Sequence, residues 1–329
     1  MTKNYYKSLS VSFTGGKHSF DLCKKNFREL KKNEVLVKVK YSSLNYKDAL
    51  SITGESRIIR KEKLIPGLDL SGTVLKSNSK NFKKGEKVLA SGSGLGELID
   101  GGFTEYSYVP DDILIKIPEN LNLIDTMRLG TAGFTAAIAV EKMILNKQNI
   151  TSGPILVTGA TGGVGSISLS ILNKLGYETI ALTRKKSSKN YLKSIGANQI
   201  LRFDKINNNK ILESKIFGGA IDNIGGEVLD WIIKSTKDNG NIVSIGMASD
   251  SKLETTVFPF IMRGVNILGV SSTNYRGNRK KIWETLSKKY KPKNLNIINK
   301  KLIGLDDVFK NSKNLISGKN TGRIVIKMY

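Results

Sequence analysis

Cysteine and histidine are almost absent: the 329 residues hold one of each, Cys23 and His18. A single cysteine excludes an internal disulfide. A Cys/His zinc site needs three or four ligands, mostly of those two types, so it is excluded as well. The same scarcity argues against a histidine-based triad. His18 and Cys23 lie in a polar stretch near the N-terminus and read as a surface histidine and an inert thiol. Long apolar runs are also missing. None is read as reaching the roughly 20 residues of a membrane helix, and MTKNYYKSLSVSFTGG has no apolar signal-peptide core. The expectation is a soluble cytoplasmic protein. Acidic side chains are in deficit, with 28 Asp and Glu against 53 Lys and Arg, a formal net charge of +25. Nucleic-acid binding is one reading of such a charge. The lysines, however, are spread through the whole chain beside abundant Asn and Ile, as an AT-rich coding sequence would produce. There is no aromatic-interleaved basic stripe and no nucleic-acid-binding motif. Compositional bias is the preferred reading, and no nucleic-acid partner is expected. A basic surface would still draw in anionic ligands.

What is present centres on Ile155–Gly165, ILVTGATGGVG. Ile155-Leu156-Val157-Thr158 is a short apolar, β-branched run that reads as a buried parallel strand. It breaks into Gly159-Ala160-Thr161-Gly162-Gly163-Val164-Gly165. An amphipathic helix follows, with Val164, Ile167, Leu169, Ile171, Leu172 and Leu175 apolar and Gly176 at its C′ position. Strand, glycine turn and helix form the context of a dinucleotide fingerprint. Gly162 would let the backbone approach a pyrophosphate, and Gly165 would let the helix pack tightly on the strand. The helix N-terminus would offer free N–H groups and partial positive charge. Ala160 stands where the first glycine of G-x-G-x-x-G belongs. A tight βα turn needs glycine in any case, so the flanking elements carry the reading.

Before this stretch, short strands alternate with glycine turns. Residues 4–13 are followed by a turn at Gly15-Gly16, and EVLVKVKY (34–41) has Val35, Val37 and Val39 on one face. A short helix over 48–52, a charged loop over 54–63 and strands after Pro66-Gly67, after Gly85 and over 101–109 complete a small β-barrel-like domain. Residues 123–145 read as a helix interrupted at 130–133. From 155 onward strands (177–182, 199–203, 220–223, 241–245, 265–270) alternate with helices (187–195, 228–235), the pattern of a doubly wound parallel sheet. Strand patterns return at 295–303 and 323–328, where the tail packs back on the first domain. The expected division is 1–122 with 291–329, and 123–290.

SSLNYKDAL, IPGLDLSGTV, GTAGFTAAIAV, VTGATGGVGS, TTVFPFIMRGV and TGRIVIK occur in that order over nearly the whole chain. Together they resemble the medium-chain dehydrogenase/reductase superfamily, and within it the zinc-free YhdH/YhfP-type quinone oxidoreductases that include the acrylyl-CoA reductases. The resemblance implies an α/β protein: a GroES-like β-barrel for substrate, a Rossmann doubly wound parallel sheet for NADPH, and an active site in the cleft between them. Zinc-dependent relatives carry a ligand Cys where Ser43-Leu44-Asn45 stands and Gly-His-Glu where Gly67-Leu68-Asp69 stands, so no metal is expected. Asn45 could donate an amide N–H, Tyr46 could donate a hydroxyl or stack on the nicotinamide, and Asp69 could orient them or relay a proton. On spacing alone they read as a turn cap, core packing and a partner for a backbone N–H. Thr131 would sit near the nicotinamide, and Thr161, Gly162, Gly163 and Val164 would hold the pyrophosphate. Arg202, with Phe203 as competitor, would face the adenine; Met247, Ile261 and Ser272 would line the cofactor cleft. Each reads equally as core or turn.

The resemblance implies hydride addition from NADPH to the β-carbon of a conjugated alkene, with protonation at the α-carbon. A short enoyl thioester such as acrylyl-CoA leads. A quinone or enone is the alternative within the superfamily, and a non-catalytic protein that binds NADPH or nucleic acid is the alternative from another class. NADPH is preferred over NADH because Ala181-Leu182-Thr183-Arg184-Lys185-Lys186 ends the second strand with no acid. An NAD-binding domain places Asp or Glu there for the ribose hydroxyl. Thr183, Arg184 and Lys185 could instead meet a 2′-phosphate, although a lysine-rich turn in a lysine-rich chain is the plainer account. Arg60 and Arg279 are candidates for the phosphates of coenzyme A, against a solvated loop as the plainer account. A homodimer is expected through the strand at 265–270, which would otherwise leave an apolar edge.

Overall fold

The structure, a computed structural model, describes residues 4–206 and 208–329. It divides into two compact units, residues up to Thr131 together with Asn299–Tyr329, and Ala132–Ile298.

The first unit begins with a hairpin that the sequence pattern showed only in part. β1 (Tyr5–Thr14) pairs along its full length with β2 (Lys17–Asn26), the register running from Thr14↔Lys17 to Tyr5↔Asn26. The two-residue alternation is weak over β2 because it is an edge strand whose residues are all partly or fully exposed. β3 (Glu34–Leu44) carries Val35, Val37 and Val39 into the core with no exposed surface. It runs three residues beyond Tyr41, where the small polar Ser42-Ser43 suggested a loop. α1 (Tyr46–Thr53), β4 (Lys63–Leu64), β5 (Asp69–Ser77) and β6 (Lys87–Ser91) follow. β7 occupies only Tyr106–Pro110, so the expected strand from 101 starts late, and β8 is Ile115–Lys116.

α2 (Leu123–Leu145) leads from the first unit into the second. It is long and apolar enough to cross a membrane, which corrects the view that no such run exists. However, 72% of its apolar window is buried inside the protein, and the helix is broken at Gly130 (φ 51°, ψ −154°), not over four residues.

In the second unit, β9 (Ile155–Val157), α3 (Gly163–Lys174), β10 (Thr179–Thr183), α4 (Lys189–Ser194) and β11 (Gln199–Arg202) are followed by β12 (Phe217–Asp222), α5 (Gly226–Ser235) and β13 (Thr236–Ser244). α6 (Phe258–Arg263), β14 (Asn266–Gly269), α7 (Arg279–Ser287) and α8 (Leu295–Ile298) complete it. The strands form one parallel sheet in the order β11-β10-β9-β12-β13-β14. The order reverses between β9 and β12, the switch point at which such sheets bind ligands beyond their strand ends. The core is built from strand residues Leu156, Leu182, Ala220 and Ile242 against Val228, Trp231 and Ile232 of α5.

The tail returns as β15 (Asn299–Ile303), α9 (Val308–Ile316) and β16 (Arg323–Lys327). β16 pairs antiparallel with β3, Ile324 opposite Leu44 and Val325 opposite Ser43. That pairing accounts for the extra length of β3. It also places Arg323, the first residue of β16, beside the exit of β3.

Candidate active site

The first unit gathers a buried polar cluster around Asp69, the first residue of β5, which has no exposed surface. Its carboxylate accepts the Ser43 hydroxyl at 2.5 Å, the Asn45 amide at 2.8 Å, and from Thr131 both the backbone N–H, at 2.9 and 3.0 Å, and the hydroxyl, at 2.7 Å. Arg323, 3% exposed, stands 3.8 Å from the same carboxylate. It reaches it chiefly through intermediaries, donating to Ser43 Oγ at 2.6 Å and to Asn45 Oδ1 at 3.0 Å. Asp48, 1% exposed, accepts the Asn45 N–H at 3.0 Å, the Asn45 amide at 3.1 Å and the Leu68 N–H at 2.9 Å. Burial, aided by the neighbouring charge of Asp69, pushes the Asp48 carboxyl up to about 7. Burial pulls the Arg323 guanidinium below its ordinary value, opposed by Asp69 and Asp48.

Gly130 makes the cluster possible. A Cβ there would lie 2.6 Å from both Asp69 Oδ2 and Ser43 Oγ and 2.7 Å from Arg323 Nη2. Its left-handed backbone turns the Thr131 N–H toward Asp69. The glycine expected to interrupt the helix therefore serves a specific contact.

Of the three residues proposed for chemistry, Asn45 and Asp69 are thus hydrogen-bonded to each other, and Tyr46 follows Asn45 in the chain. Asn45 is 8% exposed, and its amide N–H groups are directed at Asp69, Asp48 and the Ser43 carbonyl. Thr131 directs its hydroxyl at Asp69. Asp69 is enclosed by donors. Tyr46, the first residue of α1, keeps 41% of its surface exposed. The sequence reading missed Asp48 and Arg323. Asp48 could have been found as the acid three residues after an Asn N-cap, and Arg323 as the one charge facing inward in RIVIK. Among the described residues no group of three His, Cys, Asp or Glu could hold a metal ion.

The second unit supplies the fingerprint turn. Gly159 has the left-handed backbone (φ 54°), and Ala160 does not, so an alanine fits where the consensus places glycine. A Cβ on Gly165 would come within 2.5 Å of the Gly159 carbonyl, which explains the close packing expected of it. Gly162 is the N-cap of α3, Gly163 and Val164 open its first turn, and Thr161 is 7% exposed beside them. The first-turn N–H groups lack helical acceptors and lie at the switch-point end of β9. Thr183 ends β10, its hydroxyl oxygen accepting the Lys185 N–H at 3.1 Å. Arg184 is exposed, 5.9 Å from the Phe203 ring. Lys185 is partly buried, which lowers its ammonium pKa.

Arg202 closes β11 and pairs with Asp204 at 2.9 Å, both side chains at the surface, and Phe203 follows it. Met247 and Ile261 are 70% and 75% exposed. Ser272 gives its carbonyl to Arg279 at 2.9 Å, and that guanidinium lies 4.1 Å over the Phe134 ring. Arg279 is therefore packed into its own unit, whereas Arg60 of the first unit is exposed.

Residues 31–119 match the alcohol dehydrogenase GroES-like domain, and residues 163–288 match the zinc-binding dehydrogenase domain. The chain is 37% identical to a putative quinone oxidoreductase, YhfP, of Bacillus subtilis, over 91% of this chain and 92% of that one. It is 38% identical to the acrylyl-CoA reductase AcuI of Ruegeria pomeroyi, over 91% of each. The crystal structure of Escherichia coli YhdH with bound NADPH superimposes with a TM-score of 0.92 at 36% identity, covering 98% of this chain and 100% of that one. That of Bacillus subtilis YhfP with NAD bound superimposes with a TM-score of 0.93 at 35% identity, covering 98% and 99%.

Proposed function

The chain belongs to the medium-chain dehydrogenase/reductase superfamily, in its quinone oxidoreductase and acrylyl-CoA reductase branch, and from that premise we propose that it reduces the conjugated C=C of a short enoyl thioester with hydride from NADPH. The observation that carries this reading is the glycine turn at the switch point of the parallel sheet, beside a second strand that ends in Thr183-Arg184-Lys185 with no carboxylate. The donor set fits the cofactor. First-turn N–H groups of α3 and Thr161 would take the pyrophosphate, and Thr183, Arg184 and Lys185 the 2′-phosphate. The named activity of AcuI supports the thioester, and that of YhfP supports a quinone as the second reading.

When bound, NADPH supplies the hydride that adds to the β-carbon. The chain must then steady the negative charge that moves to the thioester oxygen and deliver a proton to the α-carbon. Tyr46 is the candidate donor, with its ring at the surface and its backbone at the positive end of α1. Asn45, clamped between Asp69, Asp48 and Arg323, fixes the start of that helix. Asp69 and Asp48 face inward and act as positioning residues, not as proton relays. Arg60 would meet phosphates of coenzyme A. No metal ion takes part.

NADPH oxidation with acryloyl-CoA, crotonyl-CoA and a quinone tests the reading, each assay repeated after exhaustive EDTA treatment. The expected result is the highest kcat/KM with acryloyl-CoA, unchanged by EDTA. Turnover of the quinone alone would favour the second reading. No turnover, with salt-sensitive RNA binding, would favour a non-catalytic role, and stoichiometric zinc would overturn metal independence.

A homodimer belongs to the same proposal. β14 is the edge of the sheet, with Ile267 37% exposed, and α6 exposes Ile261 and Met262 at 75% and 64%. An open strand edge beside exposed apolar side chains invites pairing with a second copy. Light scattering at micromolar concentration should give the dimer mass, and Ile267→Lys should shift it toward monomer. A monomeric wild type would refute the proposal.

A further inference from the structure

We infer that Asp222 is a positioning residue for the dinucleotide cradle, its carboxylate tying the fingerprint turn to the loop that leaves the neighbouring strand; this rests on the NADPH-binding reading above. Asp222 ends β12 and has no exposed surface. One carboxylate oxygen accepts the Thr158 hydroxyl at 2.7 Å and the Ile224 N–H at 3.2 Å, and the other accepts the Gly225 N–H at 2.9 Å. Its backbone carbonyl accepts the N–H groups of Ile245 at 2.9 Å and Gly246 at 3.4 Å, just beyond β13. One residue therefore binds the chain segments leaving β9, β12 and β13, the strands around the switch point.

Thr158 is the other half of the device. It immediately precedes Gly159, the left-handed residue of the fingerprint turn. Its hydroxyl oxygen also accepts the Asn223 N–H at 2.8 Å, its carbonyl accepts the Asn223 side-chain amide at 2.8 Å, and its own N–H donates to the Ile221 carbonyl at 3.0 Å. Every polar group of Thr158 is thus joined to the end of β12 or the loop after it. The turn that follows cannot shift relative to that loop without breaking several buried hydrogen bonds.

The choice of a carboxylate has a chemical reason. Among the described residues no Lys or Arg forms an ion pair with Asp222, and a buried carboxylate without a cation is costly. An aspartate is required only if both oxygens must accept, as they do here from three donors. An asparagine offers one acceptor oxygen, and its NH2 would point at a donor on the other side. A corner that merely filled space would tolerate the amide. The cradle works through backbone N–H groups, whose direction is set by the turn, so loosening the turn degrades phosphate binding before it degrades anything else.

The test compares Asp222→Asn, Thr158→Val, Thr158→Ser and the double variant Asp222→Asn/Thr158→Val. The readouts are the Kd for NADPH by fluorescence titration, KM for NADPH and for acryloyl-CoA, and Tm. Asp222→Asn and Thr158→Val should each weaken NADPH by roughly tenfold, with KM for acryloyl-CoA moved far less. The double variant should be no weaker than the weaker single one, and Thr158→Ser should restore the wild-type Kd. Variants that fold and bind NADPH as the wild type does would overturn the inference, as would independent, additive losses. If Asp222→Asn fails to fold, the variants at 158 decide the matter, since Thr158→Val exchanges the buried hydroxyl for a methyl group whereas Thr158→Ser keeps the hydroxyl and loses only the methyl. A wild type that binds no NADPH would overturn the functional reading and this inference together, whereas a wild type that binds it with unaffected variants would overturn this inference alone.

Discussion

Arg323→Ala is expected to destabilise the protein by about 3–5 kcal/mol, the range for removing one partner from a buried ionic group. The variant would leave Asp69 and Asp48 facing each other without a cation and would strip Ser43 Oγ and Asn45 Oδ1 of their donor. Arg323→Lys should recover only part of the loss, because one ammonium cannot reproduce the planar fork that reaches both atoms. The same cluster sets a pH dependence. The Asp48 carboxyl titrates at about 7 in the folded chain and from an ordinary value of 3.8. The folded state therefore binds more protons between those values, so the stability contributed by Asp48 is full at the acid end and is lost as pH rises from about 4 to about 7. Burial raises the Asp222 carboxyl pKa as well, so the comparison must be made against a variant. Urea unfolding across this window should show a flatter decline for Asp48→Asn than for the wild type and a steeper one for Arg323→Ala. Parallel curves for all three would contradict the assignment.

Cofactor choice carries the second large effect. Arg184→Ala and Lys185→Ala should each weaken NADPH by about 10- to 100-fold, the equivalent of one charge-assisted hydrogen bond, and leave NADH nearly unchanged. The two are not equivalent. Arg184 is exposed and close to the Phe203 ring, so it can move onto a phosphate. Lys185 is partly buried, so its ammonium is already partly desolvated and loses less hydration on meeting a phosphate. Lys185→Ala is therefore expected to cost more. Equal kcat/KM for wild-type protein with NADH and NADPH would contradict the reading, a sharp test because YhfP was crystallised with NAD.

Local signals made the second unit legible. Ile155–Gly165 carries its strand, its turn and its helix within one stretch, and parallel strands buried on both faces read as apolar runs. The first unit was harder wherever a partner lay far along the chain. Ser42-Ser43 reads as loop until β16 arrives some 280 residues later to pair with it. The hairpin strand β2 has no buried face to pattern. The candidate site shows the same division. Asn45 and Asp69 could be named from motif positions, but their roles depended on Arg323 and on the broken helix at Gly130, and no local pattern joins those four. Once joined, Asn45 and Asp69 are buried in one hydrogen-bonded cluster and Tyr46 is the exposed group.

The most direct test of the whole account is the fate of deuterium. Acryloyl-CoA should be reduced in ordinary water with NADPH carrying deuterium at both C4 positions, and the product examined by mass spectrometry and proton NMR. The account predicts propionyl-CoA with one deuterium on the β-carbon and none on the α-carbon, the second hydrogen coming from solvent. Deuterium on the α-carbon, or no propionyl-CoA from a protein that binds NADPH, would contradict it.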